Sequence, residues 1–178
     1  MTSADPPCDG GGRVGGVDIE DMVGNIIRDN VYMVLGIVDD AGRPWVSPVF
    51  YGAHASRDFY WISSPEVTHS RNLAGRPRVS IVIFDSRAPV GTGGSRAVYM
   101  AATAAEVRED DLERSLAQAG FADRGGRELT PADLRTPAPY RLYRATATEH
   151  SVLCPRAAGE PCAEHGFDYD HRTPVHLP

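Results

Sequence analysis

The sequence predicts a mainly β protein, an antiparallel barrel with few helices. Five or more short apolar runs follow one another in meander order, separated by tight turn signals. Regular alternation of strand and helix is absent, which disfavours a doubly wound parallel sheet. The 178 residues suit one domain with a sizeable core. That domain is expected over 18–178, after a flexible arm over 1–17 rich in Gly, Pro and Asp.

Asp18 reads as the N-cap of a first helix ending near Asp29. "VYMVLGIV" (Val31–Val38) reads as a buried strand and Asp39–Gly42 as a turn. Pro44–Gly52 is the second strand, His54–Asp58 a turn, and Phe59–Ser63 the third strand. A short polar helical turn, Thr68–Ala74, leads into a fourth strand, Arg78–Phe84. Ser86–Arg96 is a connection. Ala97–Val107 is rich in alanine, yet its alternation puts Val98, Met100, Ala102 and Ala104 on one face, which predicts a strand. Asp110 is expected to cap a helix running to Gly120, and Thr130-Pro131-Ala132-Asp133 resembles a capping box. Tyr140–Thr148 and Arg172–Leu177 read as strands, with an irregular loop over 154–170.

A net charge of −6 disfavours a nucleic-acid surface. All 18 basic residues are arginine, so Schiff-base chemistry on lysine and a lysine-dependent phosphate loop are excluded. The three cysteines are too few and too odd for a disulfide framework, which fits a reducing cytoplasm. Neither a membrane span nor a signal peptide is expected.

The turn at Thr68 poses the functional question. A phosphate dianion wants helix N-terminal amides, hydroxyls and a guanidinium. Thr68, Ser70 and Arg71 supply the last two, and His69 adds a cation when protonated. The plain alternative is a solvated surface turn with Thr68 as its cap. Pro48, inside an apolar strand, marks an edge or a bulge. Phe59, Tyr60 and Trp61 are more often core than a cofactor platform. "GTGG" (Gly91–Gly94) lacks the partners of a phosphate loop and reads as a hairpin loop. Cys154, Cys162, His165 and His171 could surround zinc, but they match no short Cys-x2–4-Cys spacing. No metal site is expected there.

The series GRPWVSPVFY, FYWISSPEVTHSRNLAGRPRVSIVIFDS and AVYMAATAAEV resembles the pyridoxamine 5'-phosphate oxidase-like, FMN-binding split-barrel proteins. Asn72-Leu73 followed by Pro77-Arg78-Val79-Ser80 is the most specific part. The likeness covers roughly residues 19–148 and is looser at Asp170–Leu177. It implies a split antiparallel β-barrel that forms a homodimer, with flavin in grooves at the dimer interface. It implies two-electron chemistry through FMN, or through the deazaflavin F420 of sister groups. Residue by residue, it implies cofactor contacts from Ser47, Pro48 and Val49, and from Ile62, Ser63 and Ser64. Thr68 and His69 stand where the family typically has an Arg-Lys phosphate grip, with Ser70 and Arg71 following. Ala97 stands where a Gln often approaches the flavin ring.

The expected function is therefore an FMN-dependent oxidoreductase acting on a small-molecule substrate. The alternative is a non-catalytic or cofactor-less binding protein of the same fold. A haem-binding barrel has only the six histidines behind it.

Overall fold

The computed structural model describes residues 13–14, 17–89, 96–154 and 159–177. Close contacts divide the chain into two compact units. One comprises Val31–Val82 and Met100–Thr148; the other comprises Met1–Asn30, Ile83–Tyr99 and Glu149–Pro178.

Ten strands and three α-helices are found among the described residues. β1 (Arg13–Val14) and β2 (Val17–Asp18) form a small hairpin. The arm expected over 1–17 is thus paired at its end, and residues 1–12 lie outside the described residues. α1 (Ile19–Asp29) follows directly, and its Asp18 N-cap accepts from the amides of Glu20 and Asp21. Its buried side chains are Ile19, Met22, Val23, Ile26 and Ile27, the i, i+3, i+4, i+7 spacing of one helix face.

β3 (Tyr32–Val38), β4 (Pro44–Phe50), β5 (Gly52–His54) and β6 (Asp58–Ser63) come next. α2 (Thr68–Gly75) connects them to β7 (Arg78–Phe84). β8 (Ala97–Glu106), α3 (Leu112–Ala119), β9 (Arg141–Leu153) and β10 (Arg172–Val175) complete the chain. The sheet order is β4-β3-β7-β8-β9-β6-β5, with β10 paired to β9. β8 alternates as its pattern predicts: Val98, Met100, Ala102 and Ala104 are buried.

Several boundaries differ from the sequence expectation. α3 begins at Leu112, after a 3-10 turn over Glu109–Asp111. Asp110 does not cap it, because its carboxylate is held by the Arg108 guanidinium at 3.1 Å. The Thr130–Asp133 capping box forms, but over a single 3-10 turn, Pro131–Leu134. β9 runs on past Thr148 to Leu153, which the polar run Glu149-His150-Ser151 hides in the sequence. The Gly91–Gly94 hairpin loop lies outside the described residues.

The first unit has a core of Tyr60, Leu112, Ala119, Phe121, Leu134 and Leu142, with Phe50 and Ile62 packed against it. Gly52 is required there: a Cβ at that position would meet the Ala119 carbonyl oxygen at 2.0 Å. The β5–β6 turn places two non-glycine residues in the left-handed region, Ala55 at φ 51° and Ser56 at φ 52°. Among the described residues, no helix is long and apolar enough to cross a membrane.

Candidate functional site

The end of β6, the turn after it and the first turn of α2 bring five of the expected cofactor residues together. β6 ends at Ser63, and Ser64–Val67 forms a turn in which the Glu66 amide donates to Ser64 Oγ at 3.2 Å. The Val67 amide donates to the Ser64 carbonyl at 3.4 Å. α2 then starts with Val67 as N-cap, and no side chain caps it. Thr68 therefore does not serve as the cap; it is the first helical residue. The leading amides of α2 have no side-chain acceptor, so they present partial positive charge toward the turn.

Around this end stand polar groups of unequal character. Ser63 Oγ and His69 Nε2 lie 2.8 Å apart. His69 is half-buried, and burial holds its pKa below the usual 6.5 of histidine. The neutral imidazole is thus the resting form near pH 7. Arg71 is exposed on the next turn, and its guanidinium donates to the Glu66 carbonyl. Ser70 is buried; its Oγ has no hydrogen-bond partner of good geometry. Burial also raises the pKa of Tyr143, a rise that the nearby Ser70 hydroxyl opposes. Trp61 Nε1 and Asn72 Nδ2 are two further buried donors without a partner. At the far end of α2, Arg76 reaches back to Asp40, donating to its carbonyl at 2.9 Å and facing its carboxylate at 3.6 Å.

The β4 residues sit differently. The β3–β4 ladder is continuous from Tyr32 opposite Phe50 to Val38 opposite Pro44, without a bulge. Pro48 lies in that ladder opposite Val34, on the terminal strand of the sheet order. Of the two readings of this proline, the edge strand is the one observed, where a missing N–H costs no ladder bond. Val49 is buried, and Ser47 is half-buried with its Oγ accepting from Trp45 Nε1 at 2.9 Å. Ile62 lines an apolar pocket of about 260 Å³ with Phe50, Phe121, Leu129, Leu134 and Tyr140. Phe59, Tyr60 and Trp61 are fully buried, with Trp61 stacked on Tyr143 at 5.5 Å between ring centres. They are core, as their type leads one to expect. Ala97 is buried.

Sequence reasoning missed the pocket wall from Phe121 to Tyr140, because nothing in the spacing of those residues marks a cavity. It named Cys154, Cys162, His165 and His171 as a set that could surround zinc and set them aside on spacing; their metal-ligating atoms lie within 4.8 Å of one another.

The antiparallel sheet and its strand order define a split-barrel protein, and likeness to solved structures supports that class. A family model described as pyridoxamine 5'-phosphate oxidase matches residues 19–154. The chain belongs to that family. A haem-binding protein from Mycobacterium smegmatis is 20% identical with a TM-score of 0.60, covering 86% of this chain and 56% of its own. This chain thus spans little more than half of that protein's length. A putative pyridoxamine 5'-phosphate oxidase from Listeria innocua is 15% identical with a TM-score of 0.55, covering 76% of this chain and 98% of its own. An F420 reductase is 14% identical with a TM-score of 0.53, covering 71% and 93%. No curated protein matches the chain.

Proposed function

We propose that this chain binds FMN and serves as an oxidoreductase, with the flavin phosphate at the α2 N-terminus. The observation that carries the proposal is the uncapped first turn of α2, with the exposed Arg71 guanidinium reaching back to the Glu66 carbonyl in the turn before it. Helix N-terminal amides with a guanidinium nearby match the charge and geometry of a phosphate. Ser64, Thr68 and Ser70 add hydroxyls. The buried Asn72 Nδ2, further along the same helix and without a hydrogen-bond partner, fits a polar ligand.

Bound flavin would supply the two-electron chemistry. The protein's part is to hold the phosphate, to line the ring's surroundings with Ser47, Pro48, Val49 and Ile62, and to limit water. The apolar pocket beside Ile62 suits the uncharged portion of a small substrate.

A second copy of the chain completes this reading. Trp45 and Val46 are 45% and 60% exposed on β4, the terminal strand of the sheet order. Exposed apolar side chains on an edge strand suit a symmetric dimer. A cytoplasmic setting, which keeps Cys154 and Cys162 as thiols, belongs to the same proposal.

One observation favours a non-redox binding protein instead. Thr68 and His69 replace a doubly cationic grip, and His69 is held neutral by burial. The visible absorbance spectrum of the purified chain decides. Flavin bands that bleach on reduction support the proposal. A Soret band would instead align the chain with its haem-binding structural relative, and the bands of a deazaflavin with the F420 reductase. A colourless protein that FMN does not titrate would leave the non-redox reading.

A further inference from the structure

β9 and β10 run antiparallel with Leu153 opposite Arg172. One step beyond that pair, the Cys154 amide donates to the His171 carbonyl at 2.9 Å. The ladder thereby sets Cys154 and His171 side by side at its end. Between them the chain makes a tight knuckle over Cys162–Gly166. The Gly166 amide donates to the Cys162 carbonyl at 2.7 Å, and the Cys162 amide donates to the Phe167 carbonyl at 2.7 Å. Gly166 adopts φ +69°, a left-handed turn that glycine takes without strain.

The knuckle delivers two more donor atoms to the ladder's end. Cys154 Sγ and Cys162 Sγ are 3.3 Å apart, and His165 Nδ1 lies 3.5 Å from the first and 3.3 Å from the second. His171 Nε2 is 3.0 Å from the same His165 Nδ1. Hydrogen bonding cannot account for this. An imidazole nitrogen carries either one proton or one lone pair, so it satisfies one partner, not three. Four soft or borderline donors aimed at one another are instead the arrangement of ligands around a common centre. We propose that Cys154, Cys162, His165 and His171 form a structural zinc site.

The dimensions agree. Tetrahedral zinc, at about 2.3 Å from sulfur and about 2.0–2.1 Å from nitrogen, sets its ligand atoms roughly 3.3–3.8 Å apart. Four of the six separations lie at 3.0–3.5 Å and need to widen slightly, while those from His171 Nε2 to the two sulfurs lie within 4.8 Å and need at most to close. A disulfide would need sulfurs at about 2.05 Å. Two sulfurs and two nitrogens select zinc over the oxygen-seeking magnesium and calcium. Four protein ligands leave no open position, so the ion braces the fold and activates no water.

The surroundings support the ligands. His171 Nδ1 lies 3.1 Å from the Tyr169 carbonyl, which accepts only from an N–H. This leaves the Nε2 lone pair for the metal. Phe167 stacks on His165, with 14° between planes, and meets His171 edge-on with ring centres 4.8 Å apart. Cys154, Cys162 and His171 are buried. The zinc would staple the loop after β9 onto the β9–β10 ladder.

The test uses the full chain and zinc itself. Elemental analysis of protein purified without added chelator should find about one zinc per chain, and X-ray absorption at the zinc edge should find two sulfur and two nitrogen neighbours. Cys162→Ser should weaken zinc affinity at least tenfold. Should that variant fail to fold, cobalt added to the metal-free wild type gives an independent result. It should produce the visible bands of a tetrahedral ion with sulfur-to-cobalt charge transfer. Hydrogen exchange over Cys162–Val175 should slow on adding zinc. A wild-type chain that carries no zinc and gives no such cobalt spectrum overturns the site. So does a Cys154–Cys162 disulfide in the protein isolated under reducing conditions.

Discussion

The hydroxyl of Ser63 and the Nε2 atom of His69 lie 2.8 Å apart, joining the end of β6 to the first turn of α2. This pairing makes the imidazole part of the folded surface rather than a mobile counter-ion. Its pKa is lowered by burial from 6.5. The unfolded chain therefore takes up the proton first as pH falls. The histidine's stabilising contribution is present above about 6.5 and is lost as pH drops through the folded value. His69→Gln keeps a hydrogen-bonding partner for Ser63 without a titrating group. The difference between urea midpoints at pH 7.5 and pH 5.5 should be smaller in this variant than in wild type. Equal differences would mean that His69 adds nothing to acid sensitivity.

Arg71 and Arg76 occupy opposite ends of α2, and only the first stands near the uncapped turn. Arg71→Ala should weaken FMN binding by about 1.5–3 kcal/mol, the scale of a lost charge-assisted hydrogen bond. Arg76→Ala should leave the affinity nearly unchanged, since that side chain serves Asp40. Titration of the flavin-free protein distinguishes them. Matching losses would indicate a diffuse electrostatic field in place of a phosphate site.

His69→Lys puts a permanent cation where the folded chain holds an imidazole whose pKa burial lowers. FMN should bind more tightly to this variant at pH 8, with an affinity nearly flat between pH 8 and pH 6. Wild type should gain affinity as pH falls, because phosphate favours the imidazolium. Fluorescence quenching of FMN against pH measures both. A flat wild-type profile, with no gain from lysine, would remove His69 from the phosphate site.

Trp45 and Val46 should lie in the interface of a homodimer. Val46→Arg should convert the dimer seen by light scattering into a monomer, since a charge on a buried apolar face costs several kcal/mol. A wild-type chain that is already monomeric at micromolar concentration removes the dimer from the proposal.

The β5–β6 turn should respond to turn chemistry. Ala55 and Ser56 both hold positive φ, at a cost of roughly 1–2 kcal/mol each for an L-residue with a Cβ. Replacing them with Asn-Gly should raise stability by about 1–2 kcal/mol. Gly52→Ala should act oppositely, losing about 1–3 kcal/mol or more to its clash with Ala119. Chemical denaturation midpoints report both changes.

Much of the framework was legible in the sequence because its signals are local. β7 begins at Arg78 and ends at Phe84 as its apolar run suggests, and Asp18 caps α1 through contacts only two and three residues away. The site was legible in part. The spacing of Ser63 and His69 places them near one another, but their contact depends on the turn between them. No metal site was expected at Cys154, Cys162, His165 and His171, because their spacing matches no short Cys-x2–4-Cys pattern. The close pair here is mixed, Cys162 with His165. The other two donors meet only through the register of two strands separated by the 18 residues between Leu153 and Arg172. Register is a property of pairing between strands, and no single segment encodes it.

The family match stops at Cys154, and the other three converging donors lie beyond it. The shared fold and the C-terminal knuckle thus occupy adjoining stretches that meet at one residue. Such a division has a consequence for inheritance. A relative that lost the last two dozen residues would lose three of the four donors at once, and a lone cysteine at the end of β9 would have nothing left to preserve it. The four positions should therefore be gained and lost together across relatives, whatever happens to the residues around α2.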